Sequence, residues 1–184
     1  KLKSRNCFIS FDQNDTHEFW MFLIECLHNS LARKVDMEVR GRALNQADKL
    51  AKACYKKIKE MFNDDYSEMI DLFYGMEVTS IRRQNEEREM LSFMPEPFSV
   101  ISLPIPSKRR VTLYDCFDVY CADEEMNGEN AWFNEETNKK EDVLRGVKFW
   151  SLPKVLVINL NRWNLYGRKV HTNVDVPLDD LDLS

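Results

Sequence analysis

In EMIDLFYGMEVTSIRR, Glu68 to Arg83, the pattern of residues changes period at Gly75. Before the glycine, spacing near 3.6 predicts a short helix over about Tyr66 to Phe73, and glycine is a residue type that ends helices. After it, MEVTSIRR is rich in β-branched residues and reads as a strand. The chain is helical on one side of Gly75 and β-rich on the other.

On the helical side, Asp15 starts a first helix, with Glu18 three positions on in a capping-box arrangement. Phe19, Phe22, Leu23, Cys26, Leu27 and Leu31 recur at helical spacing and are predicted to form one inward face. RKVDMEVRGR, Arg33 to Arg42, is a charged loop. A second helix follows, with Leu44, Ala47, Leu50, Ala51, Cys54, Ile58 and Met61 predicted inside. On the other side, FSVISLPI, VLRGVKFW and KVLVINLNRW read as further strands, and LYGRKVHTNVDV as a turn at Gly167 with one more strand. TLYDCFDVY predicts a short helix capped near Thr112, and the acidic segment from Cys121 to Asp142 a solvated excursion. Helices followed by antiparallel strands make an α+β chain.

Composition narrows the function classes. The 184 residues suit one domain, or one domain with a sub-lobe, with 43% hydrophobic and 31% charged residues. A net charge of −5 gives no basic footprint for nucleic acid. No apolar run approaches the roughly 20 residues that span a bilayer, and no signal peptide opens the chain. It begins KLKSRN without an initiator methionine and reads as part of a longer protein. Cys7, Cys26, Cys54, Cys116 and Cys121 form no CxxC pair, which predicts reduced thiols in a cytoplasmic or nuclear protein and builds no zinc site. A nucleophile among them is one reading, and buried structural thiols are the commoner one.

The first helix opens with more polar side chains than a cap needs. QNDTHEFWMFLIECLHNSL, Gln13 to Leu31, resembles the second signature segment of the ubiquitin-specific proteases, Gln-Gln-Asp-Ala-His-Glu-Phe followed by an apolar helix carrying Leu-His. Gln13, Asp15, His17, Glu18, Phe19, Leu27 and His28 match, and Asn14 replaces the second Gln. LFYGMEVTSI, EPFSVISLPIP, TLYDCFDVY, LPKVLVINLNRW and VDVPLDDLDLS are similar to later family segments and keep their order.

The resemblance implies a right-hand fold of thumb, fingers and palm that grips ubiquitin and hydrolyses the bond after its C-terminal glycine. Residues 1–75 would be a helical thumb segment and 76–184 β-rich fingers with a partial palm, together one incomplete catalytic domain. It implies attack by a Cys thiolate activated by His. The family's Cys and His boxes would lie outside this chain. Cys7 has no Gly-Asn-Thr-Cys context and His171 no Gly-His-Tyr context, so no catalytic residue is assigned and the chain alone is predicted inactive. Partners would be ubiquitin and ubiquitinated proteins, with neither nucleic acid nor membrane. One alternative is a scaffold that has lost its chemistry and keeps the grip. Another is an unrelated α+β interaction domain.

By the same resemblance Gln13 and Asp15 would bind the ubiquitin tail; the alternative is that Asp15 only caps the helix and Gln13 faces solvent. His17 and His28 are read as packed or solvated. Many relatives hold zinc at the fingertips through two Cys-x-x-Cys pairs, which fall here on Arg82, Asn85, Asn134 and Thr137. No zinc and no cofactor are therefore expected, and the fingertips are expected to be mobile. Phe149, Trp150 and Trp163 are predicted to pack the palm and Arg162 to support it. The acidic run from Asp123 to Glu129 reads as a solvated loop, with steering of ubiquitin's basic face as the second reading.

Overall fold

A computed structural model of the chain describes residues 15–163 and 166–183, so Cys7, Gln13 and Asn14 lie outside the described residues. The elements, in order, are α1 Thr16–Leu31, α2 Gln46–Phe62, α3 Glu68–Phe73, β1 Gly75–Arg83, β2 Met90–Phe98, β3 Ile101–Pro104, β4 Val111–Thr112, α4 Leu113–Cys121, β5 Glu124–Met126, β6 Trp132–Asn134, β7 Lys139–Glu141, β8 Val143–Ser151, β9 Ile158–Asn161 and β10 Val174–Asp175. No described helix is long and apolar enough to cross a membrane.

Side-chain caps set the helix starts. Asp15 Oδ1 accepts the amides of His17 at 2.7 Å and Glu18 at 3.4 Å, so α1 shows the Asp15 half of the expected box. Both halves form at α2, between Asn45 and Asp48, and at α4, between Thr112 and Asp115. Lys108 also bonds Asp115 at 2.7 Å and, with Thr112, holds that carboxyl down at about 2.

The main sheet runs β2-β1-β8-β5 and every pair in it is antiparallel. β1 is bonded on both edges, and Met76, Val78, Thr79, Ser80 and Ile81 are all buried. Its side chains alternate between two helices. Met76 and Val78 meet Cys54, Leu50 and Ile58 of α2, while Glu77 accepts the Tyr120 hydroxyl of α4 at 2.7 Å. β8 alternates likewise. Trp150 meets Tyr55 of α2 edge-on at 5.0 Å, and Phe149 stacks on Tyr120 of α4 at 5.9 Å. A second core gathers Ile101, Leu103, Val111, Leu113, Cys116 and Phe117 beneath α4.

The structure departs from the sequence reading in several places. The short pairs β3/β9 and β4/β10 are parallel, joined through long crossovers that parallel pairing requires. β2 escapes the sequence pattern because Pro95 and Pro97 interrupt it; as an edge strand it tolerates their missing amides. The segment 121–142 is a structured ribbon, with β5 on the main sheet and β6 paired to β7, so the acidic run is no free loop. In α2, Cys54 and Phe62 are buried, but Met61 is exposed and Leu44 precedes the helix in solvent.

α1 presents a face rotated by one residue from the expected one. Trp20 meets Phe73 edge-on at 5.5 Å, Ile24 is buried, and His28 reaches Ser67, all toward α3. Phe19, Leu23, Leu27 and Leu31 stay exposed. Both stripes are apolar, and a helix apolar nearly all round gives periodicity no single inward direction.

Gly75 is also reread. α3 ends at Phe73 with Tyr74 extended, and Gly75 opens β1 rather than capping the helix. A Cβ there would lie 2.5 Å from Phe98 Cζ and 2.7 Å from the Ser151 carbonyl oxygen. Both neighbouring strands close over that one spot. Gly75→Ala should therefore destabilise the fold by about 1–3 kcal/mol, the usual cost of overpacking, and urea denaturation measures it. A loss under a few tenths would show that the strands can part without cost.

Candidate functional site

The widest polar depression near the start of α1 is an open cleft of about 680 Å³ between that helix and β9. Asp15, Thr16 and His17 form one wall; Ser102, Asn159, Asn161 and Arg162 line the other, with Trp163 and Lys169 at its margin. The parallel register sets Ser102 opposite Asn159 and Pro104 opposite Asn161. Asn159 Nδ2 donates to Ser102 Oγ at 3.3 Å, and Asn161 Nδ2 to the Ser102 carbonyl at 3.4 Å.

Asp15 does two things here. Its Oδ1 caps α1, while Oδ2 bonds no described residue. A carboxylate oxygen left over at a cleft is an acceptor for a peptide N–H or a guanidinium. The asparagine amides opposite both donate and accept. An extended peptide laid in the cleft would find an acceptor on one side and amides on the other.

Arg162 acts as the sequence reading expects. Its Nη1 donates to the Thr172 and Val170 carbonyls at 2.9 and 3.3 Å, pinning the segment after Gly167, whose φ of +67° makes the turn. Trp163 departs from expectation: it is 63% exposed at the cleft margin and packs no core. Gln13 lies outside the described residues, so Asp15 alone of the expected pair is placed. Ser102, Asn159 and Asn161 were missed. Their signal was the polar-apolar alternation of VINLN, which sets both asparagines on one face of a strand.

The cleft carries no cysteine among its described lining residues. Cys54 and Cys116 are buried elsewhere, and burial pushes both thiols up. One constellation does resemble a catalytic triad. His28 Nδ1 lies 2.7 Å from Ser67 Oγ, and its Nε2 lies 3.4 Å from Asp65 Oδ2. Ser67 is wholly buried, however, and its Oγ accepts the Met69 amide at 3.2 Å as the cap of α3. The cluster ties α1 to α3 and presents no hydroxyl to a substrate.

Arg82, the first of the four positions read as lacking a zinc ligand, pairs with Asp123 over Gly146, where any Cβ would strike both side chains. Asn134 and Thr137 both donate to Glu141 Oε1, at 2.8 and 2.7 Å, and hold that carboxyl below its usual range. Arg83 links the two ribbons, reaching Glu89 at 3.0 Å and Glu141 at 3.6 Å. Asn85 Oδ1 accepts the Glu89 amide at 3.4 Å. No thiolate is available at any of the four positions.

Residues 2–184 match the model of the ubiquitin carboxyl-terminal hydrolase family. The chain belongs to that family. Over 171 residues it is 26% identical to ubiquitin carboxyl-terminal hydrolase 4 of Eremothecium gossypii, covering 90% of this chain and 20% of that protein. Over 178 residues it is 28% identical to ubiquitin carboxyl-terminal hydrolase 5 of Saccharomyces cerevisiae, covering 94% of this chain and 22% of that protein. The chain thus spans about a fifth of the length of these two relatives. Among solved structures it is similar to a chain of the SAGA Ubp8/Sgf11/Sus1/Sgf73 DUB module bound to ubiquitin aldehyde, with TM-score 0.61, 23% identity, and coverage of 91% of this chain and 32% of that one. That likeness shows the fold, helices followed by an antiparallel sheet.

Elemental analysis of this hydrolase-family chain should find far less than one zinc per molecule. Stoichiometric zinc that survives chelation would refute the reading of Arg82, Asn85, Asn134 and Thr137.

Proposed function

We propose that this chain is the ubiquitin-binding portion of a deubiquitinating cysteine protease, whose complete form hydrolyses bonds after the C-terminal glycine of ubiquitin. The observation that carries the reading is the cleft in which Asp15 Oδ2, bonded to no described residue, lies across from Ser102, Asn159 and Asn161. Family membership supports the reaction class, and the similar solved chain comes from a module bound to ubiquitin aldehyde. Gln13 and Asp15 would hold the extended tail, Asp15 accepting from its amides or arginines. Residues 1–75 would serve as thumb segment, and 76–184 as fingers and partial palm. The attacking thiolate and its histidine would be supplied from outside this chain, through an acyl-enzyme. The four unpaired thiols Cys26, Cys54, Cys116 and Cys121 suit a cytoplasmic or nuclear setting.

The chain by itself should not turn over a ubiquitin C-terminal fluorogenic substrate. Turnover that Cys7→Ala abolishes would overturn this assignment of the chemistry.

Binding by Asp15 is separable from capping. Asn caps a helix as well as Asp does, so Asp15→Asn in the complete catalytic domain should leave Tm unchanged. It removes a charged acceptor worth about 1.5–3 kcal/mol, so ubiquitin affinity should fall roughly ten- to a hundredfold. Unchanged affinity and unchanged kcat/KM would reduce Asp15 to a cap.

A further inference from the structure

The chain carries net charge −5, yet several of its cations lie together on α2 and the loop before it. Lys49, Lys52 and Lys56 stand exposed on α2, and Arg40 and Arg42 on the loop before it. Three neighbouring cations are already paired: Arg33 with Glu68, Lys34 with Asp64 and Arg40 with Glu38. Arg42, Lys49, Lys52, Lys56 and Lys59 make no ion pair among the described residues.

Between that loop and α2 run two adjoining cavities of about 180 and 400 Å³, which share Val39, Arg40 and Tyr55. Their floor is apolar, made by Met37, Val39, Ala51, Tyr55 and Ile58; Arg42, Lys52 and Lys59 stand at the rim. Two carboxylates line the cavities as well, Glu38 paired with Arg40 and Asp48 accepting the Leu44 and Asn45 amides at the start of α2. Lys52 and Lys59 are two turns apart on one helix, so their Cα atoms are spaced by roughly 10 Å. The loop wall is pinned where the Val35 amide bonds the Asn63 carbonyl at 2.9 Å and the Met37 amide bonds Asn63 Oδ1 at 3.0 Å. Beyond the pin, residues 38–43 make no backbone hydrogen bond with described residues, which leaves their amides and carbonyls for a ligand. The groove shares no lining residue with the Asp15 cleft.

The geometry points to a docking groove for an acidic peptide segment of a partner protein, one large apolar side chain seated between carboxylates. The apolar residue would enter over Val39, Tyr55 and Ile58, and the flanking carboxylates would meet Arg42 and Lys52 at one end and Lys59 at the other. Charge complementarity selects the peptide, because Arg42, Lys52 and Lys59 ring the apolar floor and make no ion pair among the described residues. The concave floor selects it over a lipid plane or a nucleic acid backbone: it takes in a single side chain, and a phosphate gains nothing from an apolar floor.

The test uses the full-length protein and a fluorescein-labelled Glu-Glu-Leu-Phe-Glu-Glu peptide, read by anisotropy. Saturable binding is expected, weakened at least about tenfold by Lys52→Glu with Lys59→Glu, and weakened by added salt. The same peptide with Gln for every Glu, or Ser for Leu and Phe, should bind at least about tenfold more weakly. Arg42→Glu, on the loop, repeats the charge test if the helix variants lose their circular dichroism. Ubiquitin affinity should be unchanged in both variants, so failure here is distinct from failure of the ubiquitin reading. No binding, equal binding of the Gln peptide, or indifference to Arg42→Glu would overturn the proposal. So would tighter capture of phosphatidylserine vesicles or a DNA duplex, or self-association that the same reversals abolish.

Discussion

Everything in this molecule is referred to β1, a strand with no free edge. β2 takes one side of it, β8 the other, and its two faces are claimed by α2 and α4. A strand so enclosed buries polar side chains along with apolar ones: the four consecutive residues Val78 to Ile81 are buried, Thr79 and Ser80 among them. Ser80 meets the constraint by donating to the Gly146 carbonyl at 3.3 Å. At its start, β1 lies so close to Phe98 and Ser151 that only a hydrogen fits at position 75. The helical half and the sheet half of the chain are joined where Gly75 lies against both neighbouring strands.

The candidate cleft follows from that joint indirectly. β8 leaves the main sheet and leads on to β9, which pairs in parallel with β3 above the second core. Pairing in that register sets Ser102 beside Asn159, and the chain beyond is folded back by Arg162 onto the Val170 and Thr172 carbonyls. Asp15 reaches the same cleft from the opposite end of the chain. One carboxylate thereby caps α1 with one oxygen, while the other bonds no described residue.

The ribbons at the far end of β1 and β8 answer a different problem, that of holding exposed strands together without a large core. Here the answer is ionic and amide chemistry: Arg82 on Asp123, Arg83 across Glu89 and Glu141, and Asn134 with Thr137 on Glu141. Exposed ion pairs each contribute little. The Arg82–Asp123 pair is better shielded than the rest, with side chains 13% and 27% exposed, and Gly146 makes the room for it.

What the sequence determined by itself was local. Asp15 and Thr112 mark helix starts because a cap needs only the amides of the next three residues. β1 and β8 are legible because a strand's composition is written along it, and the turn at Gly167 because one residue must take positive φ. The α+β class was readable too, because helical spacing before Gly75 gives way to strand composition after it. The tertiary structure decided what depends on partners far along the chain. It chose which apolar stripe of α1 packs, and it made β2 an edge strand in spite of its prolines. It left Trp163 at a cleft margin rather than in a core, and brought Asn159 to Ser102 across 57 residues. Periodicity says that a residue has a face; only the packed neighbours say what that face meets.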